Sequence, residues 1–144
     1  MSSTRFSVMV TLGSTSNLPK FTLLDWRQDF GGLIEYGDLY YDLAKLYGGM
    51  ILQYPLIRDN KFIFDISGNS VYYNFDVKND ILEIKEEFED FLRKNSFDFI
   101  KIKIITALIF LNMTPLLKDP FSPMLYFLGK SRLYYALKET GAYK

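Results

Sequence analysis

The chain contains no histidine and no cysteine. Without cysteine there is no disulfide framework and no thiolate metal site. Without histidine the commonest general base and the commonest transition-metal ligand are both gone. Any metal held here would be a hard cation on oxygen ligands, magnesium first. An excess of one charge is also missing, because 17 Lys plus Arg balance 17 Asp plus Glu. That balance removes the electrostatic case for nucleic acid or an anionic membrane. Residues 1–20 lack the basic start and apolar centre of a signal peptide. The most apolar run, Ile104 to Leu111, falls short of the about 20 residues needed to cross a bilayer. It reads as a buried helix, and the chain as cytoplasmic with no membrane partner.

What is present suits one folded domain spanning residues 1–144, with 49% hydrophobic and 17% aromatic residues. Phe6 to Leu12 and Phe21 to Asp25 read as a β-hairpin around the turn-forming Gly13 to Asn17. Asp38 is placed to cap a helix whose Leu39, Leu43, Leu46 and Met50 share one apolar face, with Gly48 and Gly49 weakening its end. Lys61 to Ile66 and Val71 to Phe75 flank Ser67 to Ser70 as a second hairpin. Asn79 or Asp80 starts a helix to about Lys94, burying Ile81, Ile84, Phe88, Phe91 and Leu92. Its opposite face, with Glu83, Glu86, Glu87, Glu89 and Asp90, reads as a solvated surface. Ser96 or Asp98 starts a third helix that Thr114-Pro115 ends, and a last helix runs from Pro123 to about Glu139. The order is hairpin, helix, small hairpin, three helices: a mainly helical α+β fold.

The stretch Phe21 to Leu46 carries the sharpest chemical signal. A short apolar strand ends on Asp25, a glycine-marked loop follows, and an aromatic-rich helix comes next. A carboxylate at a strand's end is fixed in direction and can bridge a metal to phosphate oxygens. At Leu23-Leu24-Asp25-Trp26 and at Gly37-Asp38-Leu39-Tyr40-Tyr41-Asp42-Leu43-Ala44-Lys45-Leu46, the chain resembles the aminoglycoside phosphotransferase and choline kinase family. The likeness is nearest to phosphotransferase-type proteins found with capsule and surface-polysaccharide genes. Arg27, Phe30 and Gly31 match that subgroup's pattern, and Ala107 to Leu117 looks like its later helix and Pro-Leu turn.

The resemblance implies the C-terminal lobe of a protein-kinase-like fold, with ATP and magnesium as the family's cofactors. It implies that Asp25 is the magnesium ligand and that Asp42 braces the catalytic loop, while Asp38 reads as no more than a helix cap. A literal Asp29-Phe30-Gly31 also occurs, but no strand aims Asp29. Tyr40, Tyr41 and Tyr47 read as core or groove packing rather than substrate contacts. The family's acceptor-orienting aspartate and metal-holding asparagine would fall at about Ser3 and Val8, and neither can do that work. Residues 1–20 contain no Asp or Glu, and nothing in the chain resembles a phosphate-cradling glycine loop. The expectation is a truncated phosphotransferase-like lobe, inactive alone, with no catalytic residues assigned. The alternatives are a non-catalytic binding or scaffold module, and half of a split kinase whose N-terminal lobe comes from a second chain.

Overall fold

The computed structural model describes residues 8–11, 20–23 and 37–142. Its coordinates fall into two compact units, Met1–Asp38 and Leu39–Lys144. In the first unit, β1 (Val8–Thr11) pairs antiparallel with β2 (Lys20–Leu23), with Val8 opposite Leu23 and Thr11 opposite Lys20. Asp25, Trp26, Arg27, Asp29, Phe30 and Gly31 all lie outside the described residues.

The second unit runs α1 (Leu39–Ile51), α2 (Tyr54–Arg58), β3 (Phe62–Ser67), β4 (Ser70–Phe75), α3 (Asn79–Lys94), α4 (Phe99–Met113) and α5 (Phe121–Glu139). The order matches the sequence reading except for α2, which Pro55 at its first turn helps to start. The chain is α+β and mostly helical. The β3–β4 turn is made by Gly68 and Asn69, with Gly68 at a φ of 57°, a conformation that costs glycine little. Alternation turns Phe62 and Phe64 inward, and their rings meet Phe121 and Phe127 of α5 at 6.1 and 6.2 Å. Asp98 caps α4 by accepting a hydrogen bond from the Lys101 N–H at 2.9 Å. A 3-10 turn, Thr114–Leu116, closes that helix at Pro115.

The core joins α1, α3, α4 and α5 through Ala44, Tyr47, Leu52, Leu92, Ile102 and Leu125, among others. Helix α4 is mostly apolar, with Lys101, Lys103 and Asn112 as its polar exceptions beside Thr106, and packs against both α1 and α5. With the 3-10 turn it makes an 18-residue window, Phe99–Leu116, long and apolar enough by composition to cross a membrane. The sequence reading judged its apolar run too short for that. In the structure Ile102, Thr106, Ala107 and Phe110 of this helix are buried inside the unit.

Two faces differ from the sequence reading. On α1 the buried positions are Ala44, Tyr47, Gly48 and Ile51, whereas Leu39 and Leu46 are more than half exposed at 55% and 52%. Gly48 explains the rotation: a Cβ there would sit 3.3 Å from the Phe110 ring and 3.4 Å from the Thr106 methyl. The glycine lets α4 come close. On α3, Leu92 is buried while Ile84 and Phe91 stand about half exposed.

Candidate functional site

Five elements of the helical unit surround one cleft of about 560 Å³. Its residues recur at helical spacing: Tyr47 and Ile51 on α1, Glu89 and Arg93 on α3, Phe99, Lys103 and Thr106 on α4. Helix α5 contributes a longer stripe that mixes Leu128 and Ala136 with Ser131, Arg132, Tyr135 and Glu139. Tyr73, Asn74 and Phe75 of β4 complete the wall. The volume is in the range of small-molecule sites.

Glu89 organises one side. Its Oε1 accepts from the Tyr47 hydroxyl at 2.8 Å and from Lys85 Nζ at 2.7 Å, and its Oε2 accepts from Arg93 at 3.0 Å. The other arm of Arg93 donates to Asp90 at 2.8 Å. Helical spacing sets these contacts within α3, since Lys85 and Arg93 are each four residues from Glu89. Burial pushes the Glu89 carboxyl up, but hydrogen bonds from Lys85 and Tyr47, and Arg93 behind them, outweigh it and hold it below its ordinary value. For Tyr47 burial and the Glu89 carboxylate act together and push the phenol far above its ordinary range. Tyr47 therefore stays a donor, its ring edge-on to Phe99 at 5.4 Å.

The α5 side is charged differently. Lys103 is paired with Glu139 at 2.7 Å and lies 4.6 Å over the Phe99 ring. Arg132 is partly buried, and its Nε is enclosed with no hydrogen-bond partner. Desolvation lowers its affinity for the proton, opposed by Tyr47, Tyr73 and Glu89. Between the two sides the Thr106 hydroxyl lies 2.8 Å from the Ile102 carbonyl and 3.0 Å from that of Ala44, a shared donor tying α4 to α1.

Glu89 is spent on three donors, so it is a weak base, and the Tyr47 phenol does not ionise near neutrality. Ser131 lines the cleft, but the chain has no histidine to activate it.

Of the residues singled out from sequence, Tyr47 lines the cleft. Asp38 directly precedes α1, Asp42 is exposed on its first turn, and neither lines the cleft. Asp25 lies outside the described residues. Among the described residues no group of three or more acidic side chains converges to hold a metal. Tyr40 accepts from the Asp98 N–H at 3.2 Å and its ring meets Phe97 at 6.3 Å, a packing role as read from the sequence. Glu89 and Arg132 were not singled out. Glu89 was read as part of the solvated acidic face, yet its side chain is only 15% exposed because Tyr47 lies against it. A signal for Arg132 was present: it sits four residues from both Leu128 and Ala136, so a charge interrupts a buried stripe. Comparison with protein-family models, curated proteins and solved structures gives no match.

Proposed function

We propose that this chain is a phosphotransferase-like lobe that serves as a non-catalytic module for binding a small molecule in the cleft of its helical unit. The cleft carries the binding half of the reading: about 560 Å³, walled by aromatic rings, with polar groups held in place by the Glu89 network. The non-catalytic half is supported by the state of those groups, none of which is poised as a base near neutral pH. Descent is supported by the spacing of Leu23 to Trp26 and Gly37 to Leu46. On that descent, ATP and magnesium would belong with Asp25 and with a lobe supplied by another chain.

The test is an amide NMR titration of the full chain with a set of single-ring acids, amines and alcohols. Perturbed amides at Tyr47, Thr106 and Ala136 are the expected result, with no phosphate transfer from magnesium ATP to any alcohol added. Perturbations confined to other surfaces would overturn the binding half, and measurable transfer would overturn the other.

A further inference from the structure

We propose that the cleft selects an aryl oxyanion, a single aromatic ring bearing a carboxylate or phosphate, and that Arg132 is the residue that pairs with the acid group. This rests on the cleft being a binding site and goes further by naming what it takes.

The argument is a charge balance. Arg93, Lys103 and Arg132 line the cleft against Glu89 and Glu139, leaving one cation over. The surplus can be located. Glu89 is met by Lys85 and Arg93, Asp90 takes the second arm of Arg93, and Glu139 takes Lys103. Arg132 forms no ion pair with a carboxylate among the described residues, Glu89 acting on it only at longer range; its Nε–H is enclosed without an acceptor, so the outer arms of the guanidinium on this cleft-lining residue are what a ligand would meet. A buried cationic donor left unpaired is costly, and the planar fork of a guanidinium matches two oxygens of one acid group. Ser131, the neighbouring residue on the cleft wall, offers a further hydroxyl. Tyr73, Phe75, Phe99 and Tyr135 supply ring faces and edges for an aromatic body.

The experiment titrates the full chain with benzoate, phenyl phosphate and the neutral benzyl alcohol, read by calorimetry and by amide shifts. At least one acid is expected to bind about tenfold or more tighter than benzyl alcohol, more weakly as salt rises. The stronger of the two acids tells carboxylate from phosphate. R132M is expected to lose about tenfold in affinity for the acid and none for the alcohol. R132K, which keeps the charge without the fork, should fall between and serves if R132M does not fold. Unchanged acid binding in R132M, or in R132K where only that variant folds, overturns the assignment of Arg132. If benzyl alcohol binds as tightly as the acids, the oxyanion inference fails while the binding module stands. If no probe perturbs the cleft, both fall.

Discussion

Glu89 shows how a residue's surroundings decide its meaning. In sequence it is one of five acids on a helix face, and four of them are exposed to solvent. The fifth is turned toward Tyr47, 42 residues away in the chain, and becomes the centre of a charge-assisted network. The consequence is a pH dependence. In the unfolded chain its carboxyl returns to about 4.5, whereas in the folded protein it lies lower. Folding therefore favours the ionised form. That contribution is complete above the unfolded value and is lost as pH falls through the folded one. We expect the urea midpoint to drop between about pH 5 and pH 3. Glu89→Gln should lower the midpoint at pH 7 and flatten the acid slope; a slope unchanged in the variant would show that other carboxylates dominate.

At the scale of elements, the glycines separate close packing from open surface. At Gly129 in α5 an added Cβ would lie 3.0 Å from Leu111 Cγ and 3.2 Å from the Ala107 carbonyl oxygen, which is backbone and cannot swing away. At Gly49 in α1 nothing lies within 4 Å. The same substitution should therefore change sign. Gly49→Ala gains about 0.5–1 kcal/mol of helix propensity unopposed. Gly129→Ala sets that gain against an overpacking cost of about 1–3 kcal/mol and should come out destabilising by about 1 kcal/mol. Thermal unfolding of the two variants decides it, and a stabilised Gly129→Ala would contradict the close α4–α5 contact. Several elements were legible because their signals are local: the Asp98 cap, the Pro115 stop and the Gly68 turn each act within four residues. The rotation of α1 was not legible. Leucines at helical spacing outbid tyrosine and glycine on hydropathy, and only the approach of Phe110 and Thr106 reverses the choice.

At the scale of the whole molecule, the buried cluster found among the described residues lies within Leu39–Lys144. That segment expressed alone is therefore expected to keep its helical circular dichroism and unfold in one cooperative step. A broad, non-cooperative transition would mean that the first 38 residues supply part of the core. By itself the sequence determined the mixture of elements, their order apart from α2, the turn at Gly68 and the stop at Pro115, and the exclusion of histidine and thiolate chemistry. All of these follow from composition or from contacts a few residues apart. The cap of α3, by contrast, falls on Lys78 rather than on Asn79 or Asp80. The tertiary structure alone decided which helix faces are buried and that Tyr47, Glu89 and Arg132 surround one cleft. A helix such as α4, with apolar residues spread around most of its circumference, states its preferred face only weakly, so its partners choose the face for it. Residues more than forty positions apart become neighbours only after those choices are made.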